Sequence, residues 1–478
     1  MNYRVISYVL GCVINIEAAA MILPILCAIA YNEPTKWVFG ACALICLAIG
    51  LPLTAVKPKN KTIFAKEGFV IVALSWIVMS LLGAIPFYAS GCIPDFIDAF
   101  FESASGFTTT GASILANVEV MPKSILFWRS FTHWIGGMGV IVFLVALLPL
   151  SGGDNLHMIR AESTGPAVGK LVPRVKTTAK ILYGIYISLT LIEILLLRFG
   201  GLDWFESLAL SFGTAGTGGF SLKNSGIAEY SSYVQNTITV FMALFGIDFT
   251  FYYLILMRKF KAALKMEEVR IYIGIILVSI IVICFNTRGM YPSFGKTLKH
   301  SAFQVSSIIT TTGYSTVDFE LWPQISKTIL LFLMFGGACA GSTGGGIKVS
   351  RIVILFKSII KEIKVLTHPK SIVKVKLNGR VLEHDTLRVV NVFFISYMLL
   401  YAIILFIISM DNLDFTTNFS AVVATLSNIG PGFSQVGPTS NFSVFSPVST
   451  FVLTIAMLIG RLEIFPMLIL FSPRTWKK

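Results

Sequence analysis

Long apolar stretches separated by short polar segments make up most of the sequence. A helix needs about 20 residues to cross a hydrocarbon layer, and ten stretches are candidates for such spans. They lie at 5–31, 37–56, 68–90, 125–150, 179–199, 236–257, 271–286, 326–356, 389–409 and 448–471. The pattern predicts an all-α, multi-pass membrane protein with both termini on one side, because the number of crossings is even.

Four shorter apolar segments alternate with these spans, at about 96–107, 204–214, 299–309 and 415–426. Each ends in a turn rich in glycine and threonine: TTTGAS (108–113), TGGFS (217–221), TTTGYS (310–315) and SNIGPGFS (427–434). One glycine recurs in each turn at intervals of 107, 95 and 117 residues. The chain therefore contains four copies of one unit, which consists of a span, a half-length helix, a glycine turn and a second span.

This repeat predicts how the chain is divided. We expect four pseudo-symmetric repeats around one central pore, each with a pore helix between two spans, after two N-terminal transmembrane helices. The predicted boundaries are 1–60 for the two-helix extension and 61–157, 158–265, 266–364 and 365–478 for the four repeats.

The glycine turns are the candidate functional site. Non-helical backbone is tolerated at membrane depth only where it is buried in protein or lines a wet cavity, so four such turns are expected to share one centre. A ring of carbonyl oxygens can replace the hydration shell of a monovalent cation, and glycine adopts the positive φ values that turn those oxygens inward. The negative C-terminal ends of the half-length helices favour a cation there. The predicted filter residues are Thr110, Gly111, Thr217, Gly218, Thr312, Gly313, Ile429 and Gly430.

The distribution of charge predicts orientation. Only 13% of the residues are charged, against about 25% in an average soluble protein. Placing the segments 57–67, 158–180, 258–270 and 357–388 inside, together with both termini and the inner part of the eighth span, puts 28 lysines and arginines inside. Arg461 is mid-span, and nine lie outside: Lys36, Lys123, Arg129, Arg198, Lys223, Arg288, Lys296, Lys299 and Lys327. The positive-inside rule then predicts cytoplasmic termini and glycine turns that approach from outside. Acidic residues of the outer loops, such as Asp95 and Glu102, either concentrate cations near an entrance or are ordinary solvated residues.

Other function classes find little support in the sequence. The seven cysteines form no CxxC pair and the five histidines are dispersed, so the cysteines are read as reduced packing residues and no metal centre is expected. The sequence contains no HExxH motif, no GxGD dyad, no serine with a plausible base and no nucleotide-binding fold. No arginine-rich arm with interleaved aromatics indicates nucleic acid. We therefore expect neither an enzyme nor a nucleic-acid-binding protein.

The eighth span is predicted to be broken. It covers 326–356, and the run GGACAGSTGGG (336–346) contains six glycines, each of which costs a helix interior about 1 kcal/mol relative to alanine. A phosphate-binding loop does not fit, because Ile347 separates Gly346 from Lys348 and no strand precedes the run. Close helix packing through Gly341 and Gly345 remains an alternative.

Ionisable residues inside the spans are expected to be functional, since charge is costly there. Arg461 lies in the middle of the tenth span, and Glu463 is poorly placed to pair with it at i,i+2 on a helix. A carbonyl of the 336–346 segment is the expected partner. Asp248 is either a cavity-facing anion or the partner of a cation. Two further acids are expected to form interhelical hydrogen bonds: Glu17 and Glu193.

Four longer motifs join the glycine turns in resembling one known family. They read RSFTHWIGGMGVIVFLVALLPL (129–150), AESTGPAVGKLVPRVKTTAKILYGIY (161–186), GGACAGSTGGGIKVSRI (336–352) and IGRLEIFPMLILFSP (459–473). Together they resemble the TrkH family of potassium-uptake proteins, which is grouped with KtrB and the plant HKT transporters. The resemblance runs through essentially the whole sequence. It implies a K⁺-translocating subunit of the bacterial cytoplasmic (inner) membrane, in which one chain supplies four repeats around a pseudo-fourfold axis.

The resemblance also implies roles for the filter and the broken span. K⁺ would be the bound and transported ion, held by the backbone carbonyls of the filter residues, with no other cofactor. Gly111 at the first filter position fits K⁺, while Na⁺ would be less strictly refused. The broken span would be an intramembrane loop beneath the filter that must move for ions to pass, with Arg461 helping to close it. The implied gate residues are Gly341, Ser342, Thr343, Gly344, Gly345, Gly346, Lys348 and Arg461.

The resemblance also implies partners for this protein, and one alternative function is left open. The family implies a homodimer in membrane lipid that sits on a TrkA-type cytosolic regulatory subunit binding NAD(H), ATP or ADP. The basic segment 357–388 is a candidate docking surface or simply reflects the positive-inside bias. The alternative function is a secondary transporter that couples K⁺ uptake to H⁺ or Na⁺, which would need a chain of titratable groups along the path. The basic residues of the candidate docking surface in the segment 357–388 are Lys361, Lys364, Lys370, Lys374, Lys376 and Arg380.

Overall fold

The computed structural model describes residues 1–58, 64–147 and 175–476, which are almost entirely helical. An N-terminal extension comes first, with α1 at Tyr3–Ala20, α2 at Ile22–Ala30 and α3 at Thr35–Ala55. Helices α1 and α3 pack closely through small residues: a Cβ added to Gly11 would lie 2.6 Å from the Cβ of Leu53. Small residues at such contacts let helix backbones approach within the membrane.

Four repeats follow, and each contains a first helix, a pore helix and a second helix or helix pair. The first and second repeats comprise α4 Ala65–Ala89, α5 Phe96–Phe107, α6 Lys123–Leu147, α7 Val175–Phe199, α8 Trp204–Gly216, α9 Ser232–Phe245 and α10 Phe249–Leu256, with the short α11 Phe260–Leu264 after them. The third repeat comprises α12 Glu267–Asn286, α13 Phe294–Ile309, α14 Gln324–Gly336 and α15 Val349–Thr367. The fourth comprises α16 His384–Ile408, α17 Phe415–Leu426, α18 Pro447–Arg461 and α19 Phe465–Phe471, followed by α20 Pro473–Trp476.

A small antiparallel hairpin links the third and fourth repeats. Its strands are β1 Lys376–Leu377 and β2 Arg380–Val381, and Lys376 pairs with Val381. The two turn residues, Asn378 and Gly379, have φ values of 52° and 76°, as the tight Asn-Gly hairpin turn requires. This hairpin lies within the basic segment 357–388.

The predicted all-α membrane fold is confirmed, although not every predicted span is one continuous helix. Within the described ranges, six helices are long and apolar enough to cross a membrane. The predicted span 236–257 is bent by 89° between α9 and α10. The predicted span 448–471 is interrupted between α18 and α19, whereas the break within 326–356 is as predicted.

These two unpredicted interruptions have local causes. A Cβ at Gly246 would lie 2.3 Å from the hydroxyl of Tyr272, and Asp248 caps α10 by accepting a hydrogen bond from the Thr250 amide at 2.8 Å. In the fourth repeat, Glu463 and Ile464 both have positive φ, at 55° and 71°. Side-chain-bearing residues rarely adopt this conformation, and an α-helix cannot continue through it.

The pore helices form the centre of the core. In α5, every residue from Ala99 to Phe107 is buried, and in α17 every residue from Ser420 to Leu426 is buried. A helix buried all round must be enclosed by other elements. The pore helices therefore lie inside the ring of longer helices, and the turns that follow them lie near the middle of the molecule.

Candidate functional site

Each pore helix begins with a residue that caps its first turn. Asp95, Asp203, Ser293 and Asp414 precede the four helices, and each side-chain oxygen accepts a hydrogen bond from a backbone amide two or three residues later. Such caps satisfy amides that have no partner within the helix. The opposite ends, which carry partial negative charge, lead directly into the glycine turns.

The four glycine turns share one backbone conformation. In each, two residues two positions apart have positive φ. The amide of the residue between them donates to a pore-helix carbonyl five residues earlier, at 2.8 or 2.9 Å. The residues with positive φ are Thr109 and Gly111, Thr217 and Gly219, Thr311 and Gly313, and Asn428 and Gly430.

This shared conformation corrects the predicted register of the second repeat by one residue. Gly219, with φ of 74°, takes the position of Gly111 and Gly313, while Gly218 has no positive φ. Thr217 accordingly corresponds to Thr109. A serine two residues after the glycine is common to the first three turns, and aligning on that serine would have selected Gly219.

The four turns meet in a closed ring. In each turn, the Cα of the glycine with positive φ faces a carbonyl oxygen of another repeat. The approach is so close that a Cβ added to this glycine would collide with the oxygen. The contacting pairs, with the distance from the ideal Cβ position to the carbonyl oxygen, are Gly111 and Gly218 (1.9 Å), Gly219 and Thr312 (1.9 Å), Gly313 and Ile429 (2.1 Å), and Gly430 and Thr110 (2.8 Å). These eight residues are called the carbonyl ring below.

The structure therefore brings seven of the eight predicted filter residues into the carbonyl ring. Thr217 lies one position before it, and Gly219, which was not predicted, completes it. The side chains of Thr110, Thr312 and Ile429 are fully buried, with 0% exposure. Ion binding by the ring carbonyls remains a prediction.

A buried histidine joins the first two turns. The Nδ1 of His133 on α6 lies 2.9 Å from the carbonyl oxygen of Gly106, and its Nε2 accepts a hydrogen bond from the Phe220 amide at 3.3 Å. This pair of partners requires a neutral ring protonated at Nδ1. A Cβ at Gly218 would lie 2.2 Å from Nδ1, so the imidazole packs directly behind the carbonyl ring.

A buried ion pair supports the same turns. Arg129 on α6 pairs with Glu102 of the first pore helix, and both side chains are almost fully buried. Arg129 also donates to the Ser221 carbonyl at 3.1 Å, and the Glu102 carboxylate accepts from the Ile114 amide at 3.0 Å. Both residues were expected near the outer surface. The sequence showed only their opposite charges, since the pore helix that carries Glu102 turns back into the molecule.

Side chains also link the other repeats. The hydroxyl of Tyr314 donates to the Leu210 carbonyl at 3.2 Å, which joins the third and second repeats. The Nδ2 of Asn428 donates to Thr110 Oγ1 at 2.8 Å, which joins the fourth and first. The ring is thus held by contacts between repeats as well as within them.

The broken span of the third repeat forms a loop against the carbonyl ring. We call residues 337–348 the glycine loop. Its Gly345 amide donates to Thr311 Oγ1 at 2.7 Å, and its Gly346 amide donates to the Ser427 carbonyl at 2.9 Å. Both acceptors lie at the C-terminal ends of pore helices. Of the predicted gate residues, Gly344, Gly345 and Gly346 therefore lie against the pore-helix ends that lead into the ring, while Gly341 lies against Asp248.

Two cations hold the glycine loop in place. Lys348 is buried, and its Nζ donates to the carbonyl oxygen of Gly344. Arg461 donates to the Thr343 carbonyl at 2.9 Å and to the Gly136 carbonyl at 2.6 Å. The expectation that Arg461 is paired with a carbonyl of the broken segment is confirmed. Glu463 pairs instead with Arg351.

Three other acids were expected to be functional: Asp248, Glu17 and Glu193. The carboxylate of Asp248 caps α10 and lies against the glycine loop, where a Cβ at Gly341 would be 2.8 Å from Oδ1. No ion pair of Asp248 with a lysine or arginine is found in the part of the chain that the structure describes. The interhelical hydrogen bond expected of Glu17 is not found within the same part, since neither of its carboxylate oxygens has a partner. Glu193 on α7 lies beside the Thr214 hydroxyl of α8, which also donates to the Leu210 carbonyl at 2.9 Å.

The basic segment 357–388 presents exposed charge at the end of α15 and on the hairpin. Lys364, Lys370 and Lys374 are exposed, while Lys361 pairs with Glu362. The segment thus has an accessible basic surface. Whether a partner docks there remains a prediction.

Comparison with known proteins agrees with this architecture. Residues 36–478 match the family TrkH, described as a cation transport protein. The chain is 38% identical over 486 residues to the Trk system potassium uptake protein TrkH of Escherichia coli (strain K12), covering 100% of both chains. It is 34% identical to TrkG of the same organism, covering 100% of this chain and 99% of that one. The crystal structure of the potassium transporter TrkH from Vibrio parahaemolyticus superposes with a TM-score of 0.89 at 33% identity, covering 100% of both chains.

Proposed function

The chain belongs to the TrkH family of cation transport proteins, and from this premise we propose that it takes up potassium ions across the cytoplasmic membrane through a gated, channel-like pore. Relatives that match over their full length are named potassium uptake proteins. K⁺ is then the substrate, and it would be bound by backbone oxygen rather than by charged side chains.

The closed carbonyl ring is the observation that carries this proposal. Each repeat contributes one glycine and one preceding carbonyl, and the four contacts return to the first repeat. Carbonyl oxygens around an axis can replace the hydration shell of K⁺. The pore-helix C-termini add partial negative charge at the same place, which favours a cation.

The glycine loop is the proposed gate. It lies against the ends of the third and fourth pore helices, and Lys348 and Arg461 bind its carbonyls. A non-helical loop can leave this position without breaking a continuous helix. Its displacement would open the path on the inner side of the ring.

Coupled transport is the second candidate function. Its support is the presence of two acids beside the glycine loop, the half-buried Asp248 and the buried Glu268. The eight residues of the carbonyl ring itself have no titratable side chains. A channel-like mechanism is therefore favoured over symport with H⁺ or Na⁺.

Flux measurements on the purified protein in liposomes test the proposal. We expect ⁸⁶Rb⁺ to accumulate down its electrochemical gradient without any pH or Na⁺ gradient, and unlabelled K⁺ to compete. Liposomes without protein are the control. Accumulation against the Rb⁺ gradient only when a pH or Na⁺ gradient is imposed would instead establish coupled transport, and no Rb⁺ flux under any gradient would contradict both functions.

The proposed setting is a homodimer in the bacterial inner membrane with both termini in the cytoplasm. The positive-inside bias and the basic segment 357–388 support this orientation. We propose a cytosolic regulatory subunit of the TrkA type as the partner of that segment. The nucleotide response, whether to NAD(H), ATP or ADP, would then enter through the partner.

A further inference from the structure

One buried carboxylate contacts the glycine loop on both sides of its glycine run. Glu268 lies in the first turn of α12 and is 6% exposed. Its Oε1 accepts hydrogen bonds from the Ala340 amide at 2.7 Å and from the Ser350 amide at 3.0 Å. Ala340 precedes the run 341–346 and Ser350 follows it. A single oxygen therefore joins Ala340 of the glycine loop to Ser350 in the first turn of α15.

The second of these bonds caps a helix inside the molecule. Ser350 is in the first turn of α15, where backbone amides have no acceptor within the helix and carry the positive end of its dipole. Lys348 occupies the position before α15 but provides no side-chain cap, because its ammonium group can only donate hydrogen bonds, and it donates to the Gly344 carbonyl. The cap is supplied by Glu268 from another helix.

Glu267, the residue before Glu268, connects the start of α12 to the hairpin. The backbone amide of Glu267 donates to Asn378 Oδ1 at 2.7 Å, and its carboxylate accepts from the Asn378 amide at 3.3 Å. The carboxylate also pairs with Lys357 of α15, whose amine donates to the Lys376 carbonyl at 2.8 Å. The hairpin turn, α15 and the start of α12 are thus joined at one point.

We propose that Glu268 is a latch that keeps the glycine loop against the carbonyl ring, and that Glu267 and Asn378 connect this latch to the hairpin. A regulatory partner that moved the hairpin would thereby release the loop. The proposal rests on the proposed function, since it assigns the regulation of the same gate. Glu268 acts through the loop and is therefore a positioning residue that has no contact with the ion.

Cysteine labelling tests the latch independently of ion flux. Cys339 lies in the glycine loop and has 0% exposure, so its reaction with a membrane-permeant maleimide, mapped by mass spectrometry, reports release of the loop. We expect Glu268→Ala to react about tenfold faster than wild type, because two buried amides lose their acceptor. Glu268→Gln should stay close to wild type, because the amide oxygen still accepts both bonds.

Ion flux supplies the second readout. In liposomes without a partner, Glu268→Ala should raise basal ⁸⁶Rb⁺ flux about tenfold by the same argument. In a variant lacking residues 342–345, the same substitution should add nothing, because the loop it restrains is gone. An unchanged Cys339 reaction in Glu268→Ala, or an equal increase in both backgrounds, would overturn the latch.

The two proposals fail in different ways. If Glu268→Ala accelerates Cys339 labelling while neither it nor wild type carries Rb⁺, the latch stands and the transport function is wrong. If wild type carries Rb⁺ but the variant neither leaks nor labels faster, the function stands and the latch is wrong.

A matched pair of turn variants tests the connection to the hairpin. Asn378 and Asn412 both have positive φ, at 52° and 56°, so glycine preserves the backbone at both. Asn378→Gly should speed Cys339 labelling, whereas Asn412→Gly, in the turn before the fourth pore helix, should not. Equal labelling rates in these two variants would overturn the hairpin connection.

Discussion

The ring glycines are required by both conformation and space. Gly219 and Gly313 have positive φ, and a Cβ at either would lie about 2 Å from a carbonyl oxygen of the next repeat, at 1.9 and 2.1 Å. A side chain costs about 1–2 kcal/mol in this conformation, and overpacking adds about 1–3 kcal/mol. We therefore predict that Gly219→Ala lowers ⁸⁶Rb⁺ flux at least about tenfold while the protein still inserts into the membrane. A bulky residue at Gly313 should abolish flux.

A glycine in open space provides the control. Nothing lies within 4 Å of a Cβ added to Gly274 on α12, so Gly274→Ala should keep wild-type flux. Normal flux in Gly219→Ala would show that this backbone does not line the path.

The buried ion pair behind the ring predicts a stability effect. Glu102→Gln leaves the buried guanidinium of Arg129 without its counter-charge, which typically costs about 3–5 kcal/mol. We expect a clearly lower thermal unfolding temperature in detergent. Glu229→Gln, which removes a partner from the exposed pair with Lys223, should leave the thermal unfolding temperature nearly unchanged, because solvent screens exposed ion pairs. Equal effects of the two substitutions would contradict the structural role of the buried pair.

At the scale of elements, the proposed gate is the glycine loop with the two cations that bind its carbonyls. Arg461 joins the loop to α6 through the Thr343 and Gly136 carbonyls. Arg461→Ala, or shortening of the segment 341–346, should therefore raise basal ⁸⁶Rb⁺ flux in the absence of any partner.

The matched control for Arg461 is Arg388→Ala. Arg388 is exposed and pairs only across one turn with Asp385, so its removal should leave basal flux unchanged. If Arg461→Ala also showed wild-type flux and an unchanged response to the partner, the loop would not be the gate.

Helix breaks are a second feature decided at this scale. The break in the span 326–356 of the third repeat was predicted from the sequence, because six glycines in one span disfavour a continuous helix. The bend at Gly246 and the interruption at Glu463 and Ile464 were missed. Each depends on a partner far along the chain, Tyr272 in the first case and Arg351 in the second.

At the scale of the whole molecule, regulation is predicted to enter through the basic segment. Lys364, Lys370 and Lys374 are exposed. Reversing all three to glutamate should abolish the response of flux to the cytosolic subunit and its nucleotide, because like charge would face the partner, while basal flux stays unchanged. Liposome flux with and without the partner measures both.

A set of outer lysines serves as the control for that experiment. Lys36, Lys223 and Lys296 lie on the predicted outer side, so reversing them should preserve the response to the partner. A full nucleotide response after reversal of the inner three would remove the docking role of the segment.

The sequence alone determined the all-α membrane class, the fourfold repeat, the pore helices and the glycine turns that follow them. These are local properties: an apolar stretch of sufficient length and a glycine turn keep their meaning whatever surrounds them. The pore helix 415–426 was predicted to the residue, and the third began five residues earlier than expected, at Phe294.

Only the tertiary structure decided which glycine of the second turn belongs to the ring, and that Arg129 and Glu102 meet inside the molecule. It alone also showed Glu268 bound both to Ala340 of the glycine loop and to Ser350 at the start of α15. Two adjacent glycines have equal intrinsic freedom, and a charge in a loop has no preferred partner until the chain folds. These choices follow from contacts between residues far apart along the chain, which local sequence does not encode.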